Sequence, residues 1–432
     1  MKKYLIIFII MQAFISCNNN RTNNTNVDKS TLIISSNGSL INFNLDENKI
    51  NWQYNSAIDS TGNRNYFAID SQNIFLPFES GKLINFDVKT GKIIWKQQIY
   101  GKEDEVMDMS SEENAESDLL NSLMPLFMTK PLVDNENILI TSTGQPSLTT
   151  GYIYNFKRAN GEKKWHEELP TQYNFYAPVK FKDSYFANSA VFLLKVNNED
   201  GGLQSYGMFD ADIEIEGKPG QKYDLNQFQN PIYNQMQSDD ENIYIGDDQG
   251  SIFCFNLNEY GEVLNNNNTA DYNNTFIKNS KVFKWTFKDE KFNFQENGMT
   301  FLEDDLLYTV SKNGSATQSC IFALDTENGK PKWKKVINGS VLNWSVQNDK
   351  IIGNTKNSIF YSDKNNENFN EIKIESEPLS NIEIMDENHL IYLTPNGIEI
   401  LDTKTKKAKI VHNKSYVKQS EHNYVQIKYI GK

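Results

Sequence analysis

The 432-residue chain is poor in the residues that most often carry chemistry, with three cysteines and four histidines. His166, His389, His412 and His422 are scattered, so no single element offers two imidazoles to a zinc ion. Cys254 and Cys320 are not adjacent and show no spacing that asks for a disulfide; they read as small buried hydrophobes. Phosphate loops, nucleophile elbows and Cys/His pairs are lacking as well. Positive charge is short: 43 Lys and Arg against 56 Asp and Glu leave a formal net charge of −13. That balance argues against nucleic acid, which needs a basic face, and against docking on an anionic membrane through charge alone. The apolar run Tyr4 to Phe14 is too short to span a bilayer. Asp239-Asp240 and Asp247-Asp248-Gln249-Gly250 are acidic enough for calcium. They flank one strand, however, in turns where Asp and Gly are expected anyway. We therefore expect no catalytic constellation, no cofactor and no metal, and read the chain as a non-enzyme.

What is abundant is apolar and aromatic material, 38% and 12% of the chain, arranged as a repeat. Gly81 to Trp95, GKLINFDVKTGKIIW, reads as one β-hairpin. Its first half alternates with period two, Lys89-Thr90-Gly91-Lys92 makes the turn, and Ile93-Ile94-Trp95 opens the return strand. The same pattern recurs at Gly38–Trp52, Gly151–Trp165 and Ser319–Trp333, with Gly91, Gly161 and Gly329 in register. Weaker copies at Gly250–Leu264, Asn357–Ile372 and Asn396–Ile410 replace the Trp with Leu or Ile.

A full unit has four short strands, as in Tyr66–Ile69, Asn73–Pro77 and the two halves of the Gly81 hairpin. Units recur at roughly fifty residues, which is a propeller pattern. The fold expected is all-β, a single β-propeller of about eight four-stranded blades. Seven stays open because the fourth unit, built from Ala177–Val179, Tyr185–Ala187, Ala190–Val196 and Gln204–Ile213, is degenerate. The first unit starts at Thr31 without a first strand, and the chain ends in a lone strand, Tyr424 to Ile430. That strand is expected to complete the first blade and close the ring, hiding two open edges.

Two insertions interrupt the propeller, which spans 31–432. One, 102–129, starts acidic and then carries Leu119, Leu120, Leu123 and Met124 on one face of a short helix after a Ser110/Glu113 capping box. Those four side chains either pack back on the rim, as short apolar helices more often do, or meet a partner. The other, 265–280, is an Asn-rich loop.

Residues 1–16 read as a signal peptide, with Lys2-Lys3 before the apolar run. Phe14-Ile15-Ser16-Cys17 resembles the lipobox of bacterial lipoproteins, which implies lipidation at Cys17 and a membrane anchor. The Asn/Thr-rich stretch 17–30 then serves as a flexible tether. Asn rather than Asp after the Cys implies the outer membrane. The lack of an acidic run there favours its periplasmic side.

The strand, Asp, Thr-Gly-Lys and Trp of Gly81–Trp95, and nearly as closely Ser319–Trp333, resemble the PQQ-like β-propeller repeat with its tryptophan-docking motif. The resemblance implies that Trp52, Trp95, Trp165, Trp285 and Trp333 dock between blades, a structural role, while Trp344 is off register. With the lipobox and the chain length, the layout resembles the BamB-like lipoproteins of outer-membrane protein assembly. It implies an envelope scaffold whose partners are proteins, the β-barrel assembly machinery among them. The alternatives are a quinoprotein-type enzyme holding pyrroloquinoline quinone and calcium, and a propeller that binds a glycan or other small ligand at its channel mouth. Quinoproteins often carry a vicinal Cys-Cys pair, which is missing here.

Overall fold

The computed structural model describes residues 30–59, 66–99, 127–143, 151–206, 213–215, 218–223, 230–256, 264–265, 275–276, 283–417 and 425–431. The expected signal peptide, Cys17, the tether up to residue 29 and the helix-forming part of the first insertion lie outside them.

Eight antiparallel sheets form a ring, an eight-bladed β-propeller. Blades 2 to 8 each take their strands consecutively from the chain. In blade 2 these are Ala68–Ile69, Asn73–Pro77, Lys82–Asp87 and Ile93–Gln98. Blade 1 is made from both ends of the chain: Thr31–Ser36, Ser39–Asn44 and Lys49–Asn55 take Gln426–Ile430 as their fourth member. The register runs Thr31↔Ile430 to Ser35↔Gln426, so the last strand satisfies an edge that would otherwise stay open. The first strand is innermost in blades 2 to 8, and Gln426–Ile430 is innermost in blade 1. Val179–Phe181 touches Gln237–Ser238, Gln237–Ser238 touches Phe301–Glu303, and Glu383–Ile384 touches Gln426–Ile430.

Why the second and third strands are near-continuous apolar runs follows from their burial on both faces. In Thr31–Ser36, Leu32 and Ile34 point toward blade 8 while Ile33 points toward blade 2. The buried apolar side chains of the described residues fall into eight clusters, each shared by two neighbouring blades, so the core is itself a ring. Outer strands behave differently. Lys49–Asn55 alternates exposed and half-buried positions, as a strand with one wet face must. The Asn37-Gly38 turn shows how local chemistry sets the hairpins. Both residues have positive φ, 48° and 73°, the geometry that reverses two twisted strands in two residues.

The structure departs from the sequence reading at four places. Blade 4 ends at Leu203–Tyr206, and Ile213–Ile215 pairs instead with Lys218–Tyr223 in a separate ribbon. A period-two pattern cannot tell a blade's last strand from the hairpin that follows it. Leu264 does not stand where other units place Trp; it pairs with Phe276, and Trp285 fills that position in Phe283–Phe287. Blade 6 has two inner pieces, Phe294–Gln295 and Phe301–Glu303, both paired to Leu306–Lys312. Finally, Phe127 and Thr129 are not part of a loose insertion: both are buried, and Phe127 packs edge-on to Tyr154 at 5.5 Å.

Candidate functional site

The turn glycines and tryptophans form a relay around the ring. The indole of Trp52 in blade 1 lies on Gly91 of blade 2, where a Cβ would come within 2.4 Å of Cδ2. Trp95 lies likewise on Gly161, Trp165 on Gly201 and Trp285 on Gly329. Each indole Nε1 donates to the carbonyl three residues before that glycine: Val88 (3.1 Å), Arg158 (3.0 Å), Asn198 (2.9 Å) and Thr326 (2.8 Å). Each of these glycines has φ between +69° and +83°, so the position excludes a side chain twice, by backbone conformation and by contact. A β-bulge beside each of these four Trp re-aims the outer strand; the pairings Asn42↔Trp52, Asn85↔Trp95, Asn155↔Trp165 and Cys254↔Trp285 each precede a register shift. Gly201 was hidden from sequence because its blade is degenerate, although Asp200-Gly201 was the available signal.

Trp333 ends differently. The turn it reaches in blade 7, residues 364–368, has no glycine, and the ring stands edge-on to Phe369 at 5.9 Å with Nε1 unpartnered. Trp344, on the inner strand of blade 7, packs edge-on to Phe301 at 4.8 Å. Leu119, Leu120, Leu123, Met124 and Cys17 lie outside the described residues.

The residues weighed for metal or acid–base work have local occupations. His166 stacks on Tyr154, His389 bonds Asp386, and His412 bonds Asn48; His422 lies outside the described residues. Asp239 accepts the backbone amides of Glu241 and Asn242, and Asp247 accepts Ser251 N and Asn230 Nδ2. Buried Asp59 and Glu296 are likewise spent, the first on Ser56 and Ser80, the second on Ser319 and Val341 N. Among the described residues no three His, Cys, Asp or Glu side chains cluster for a metal. Cys254 and Cys320 are free, and both sit in the cluster between blades 5 and 6, where burial pushes each thiol up to about 12.

The two faces of the ring differ in chemistry. On one lie the turns between first and second strands and between third and fourth, cross-linked by charge. Arg158 of blade 3 reaches Asp70 of blade 2 at 2.6 Å, and Lys180 of blade 4 reaches Asp134 of blade 3 at 3.1 Å. Lys364 of blade 7 pairs with Asp304 (2.7 Å) and Glu303 (3.3 Å) of blade 6 and with its own Asp349 (2.7 Å), which raises its ammonium above the ordinary lysine range.

The opposite face carries the blade-to-blade connections, and there large apolar side chains are exposed. Tyr173 (52%), Tyr233 (44%), Phe294 (38%) and Leu342 (36%) enter blades 4, 5, 6 and 7 in succession. Contacts between neighbouring connections link parts of this arc. Tyr176 stands edge-on to Tyr233 at 5.9 Å and lies over Gly298, and Asn297 donates to the carbonyl of Leu342. Nothing in a single segment's sequence marks this arc, since its members come from separate segments that enter four different blades.

Inside the ring, side-chain amides bind neighbouring inner strands. Gln235 holds both Ala177 N and O, Gln237 holds Thr300 O, Gln347 holds Ile382 O, Asn381 holds both Ile427 N and O, and Gln426 accepts Phe67 N. These bonds satisfy backbone groups that inner edges would otherwise turn to the channel.

Comparison with known proteins bears on this architecture. Residues 18–122 match the family described as outer membrane protein assembly factor BamB. A search of curated proteins gives no match. Among solved structures, BamB from Moraxella catarrhalis is similar with a TM-score of 0.53 and 13% identity, over 85% of this chain and 92% of that one. Quinohemoprotein alcohol dehydrogenase from Comamonas testosteroni is similar with a TM-score of 0.53 and 11% identity, over 91% and 75%. At these identities the likeness concerns the fold. The chain is a β-propeller similar in fold to BamB, and its residues 18–122 match the BamB family.

Proposed function

We propose that this propeller is a lipid-anchored interaction scaffold of the cell envelope, on the periplasmic side of the outer membrane, acting in the assembly of β-barrel proteins. The observation that carries the reading is the aromatic arc of Tyr173, Tyr233, Phe294 and Leu342 on the connection face. Exposed aromatics grouped on one face are what protein interfaces are enriched in, and a rigid ring presents them without an ordering cost. The match of residues 18–122 to an assembly factor supports a partner of this class. The anchor would be Cys17. No catalytic role is proposed.

The test is co-purification from detergent-solubilised envelopes, with partners identified by mass spectrometry. The wild-type chain is compared with a Tyr173→Ser/Tyr233→Ser/Phe294→Ser variant and with a deletion of 102–126. That deletion stops short of 102–129 because Phe127 and Thr129 belong to the core. Recovery of a β-barrel assembly component that is lost in the triple variant supports the reading; loss in the deletion alone moves the contact to the insertion. If no assembly component is reproducibly recovered, the assembly role falls. The quinoprotein-type alternative rests on fold likeness alone, and incubation with the quinone and calcium followed by absorbance of washed protein tests it directly.

A further inference from the structure

We propose that the outer strand of blade 8, Lys407–His412, and the turn before it form a docking surface for the anionic headgroups of a phospholipid membrane, through Lys404, Lys406, Lys407 and Lys409. The choice of a membrane as occupant rests on the lipid-anchor reading above and not on a role in β-barrel assembly.

The net charge of −13 hides a local reversal. Residues 404–410, KTKKAKI, are exposed without interruption and carry four lysines, with Ile410 at the end 46% exposed. Among the described residues none of these lysines has an ion-pair partner. Asp402, which opens the turn, is spent on the backbone amides of Lys404 and Thr405. In the lysine-rich outer strand of blade 6, by contrast, Lys332 is paired with Asp325 at 2.6 Å and Lys334 with Asp289 at 3.0 Å.

This strip adjoins the place where the chain enters the ring. Ile410 keeps the spacing of a docking tryptophan, but no indole stands there. Two residues on, His412 reaches the next blade instead: its Nδ1 lies 2.8 Å from Asn48 Oδ1, and its ring lies 4.7 Å from that of Phe43. The blade 1 turn that holds Asn48 is fastened to Ser30 as well. Leu45 N donates to Ser30 O at 3.0 Å, and Ser30 N donates to Asp46 Oδ2 at 3.1 Å. A single turn thus joins the lysine strand to Ser30, on the charged face of the ring and opposite the aromatic arc. Residues 18–29 separate Ser30 from Cys17, a span of at most about 45 Å when fully extended.

An anchor at Cys17 therefore brings this face of the ring to the membrane first. Each lysine close to an anionic surface strengthens the association by roughly fivefold, and salt weakens the effect because the charges act through water. The anchor supplies a high effective concentration, so a short strip can orient a ring whose total charge would be repelled. Exposed Ile410 suits the boundary between headgroups and acyl chains. Lysines on an outer strand also blunt pairing between open edges, and the experiment must separate that service from lipid binding.

The experiment uses the envelope-purified chain reconstituted on vesicles of phosphatidylcholine alone, or of phosphatidylglycerol and phosphatidylcholine in equal parts. Acetylation rates of individual lysines are read by mass spectrometry. The expected result is that Lys404, Lys406, Lys407 and Lys409 are acetylated about tenfold more slowly on the anionic vesicles, and that high salt removes the difference. Lys284, Lys288 and Lys330, exposed in blades 5 and 6 across the ring, should not change. In a Lys404→Gln/Lys407→Gln/Lys409→Gln variant the protection of Lys406 should be lost; Lys406 is kept because its φ is +57°. Equal rates on the two vesicles overturn the proposal, as does protection that survives in the triple variant. So does a triple variant that only self-associates, which is the mark of edge protection. Protection by polyglutamate on neutral vesicles, with none from anionic lipid, overturns it in favour of an acidic polypeptide. Flotation with neutral vesicles, compared with a Cys17→Ser chain, reads the anchor separately; if it fails, the anchor reading falls, and the lysine surface is judged on the anionic vesicles alone.

Discussion

Replacing Gly161 with alanine tests the blade relay most directly, because two separate costs meet at that position. Its φ of +73° lies in the left-handed region, where a Cβ costs about 1–2 kcal/mol. The same Cβ would stand 2.4 Å from Trp95 Cε3, 2.7 Å from Cδ2 and 2.9 Å from Cζ3. The indole must therefore give way, and overpacking of this kind costs a further 1–3 kcal/mol or so. The displaced ring would also strain the 3.0 Å bond from Trp95 Nε1 to Arg158 O. Gly161→Ala should thus destabilise by about 2–5 kcal/mol, and Trp95→Ala, which empties a nearly buried site, by about 3–5 kcal/mol. The informative quantity is their coupling. In a Trp95→Ala background the collision is gone and only the backbone cost remains, so the double variant should be more stable than the sum predicts by about 1–3 kcal/mol. The assay is equilibrium unfolding in urea, followed by circular dichroism and fluorescence, with the two probes required to coincide because a ring this large need not unfold in one step. Additivity within about 0.5 kcal/mol would refute the contact between Trp95 and Gly161.

Three further outcomes are expected. Truncation after residue 424 should expose the Thr31–Ser36 edge and make the chain aggregate, while Ile427→Ala, at a fully buried position of that strand, should cost about 2–5 kcal/mol in urea unfolding; unchanged stability in both would argue against ring closure by this strand. Asp134 is pushed up by burial, but hydrogen bonds from Tyr185, the amides of Glu136 and Asn137, and Lys180 outweigh this and hold it at about 2, below its ordinary 3.8. A carboxyl lowered on folding gives stability that is complete above its unfolded pKa and is lost as pH falls toward its folded one, here between about 4 and 2. Asp134→Asn should accordingly remove about 2 kcal/mol at pH 7 and flatten acid unfolding in that window, and an unaltered acid profile would count against the network. In a Cys17→Ser chain, Cys254 and Cys320 should resist a thiol reagent at pH 8 in the native state and react only on unfolding, since burial pushes both up to about 12; rapid native labelling would show the cluster between blades 5 and 6 to be open.

Much of the fold could be read from fifteen-residue windows, because its instructions are local. The positive φ at Gly91, Gly161 and Gly329 and the two-sided burial of runs such as Leu32–Ile34 depend on immediate neighbours, and their recurrence implies stacked blades. The lone strand at the chain's end likewise implied closure, as the Thr31–Ile430 pairing shows. Where the pattern decayed, the sequence lost the position: Gly201 accepts Trp165 from a blade whose repeat is barely visible, and Leu264 kept the spacing of a tryptophan without its place. The surface arc and the ion pair at the seam of the ring depend on relations no window contains. Tyr173 and Leu342 share a face because connections between blades all emerge on one side, and Lys428 meets Glu383 only because the last strand closes blade 1 against blade 8. Local backbone chemistry and hydrophobic period fixed what each blade is; closure of the ring decided which distant side chains face one another.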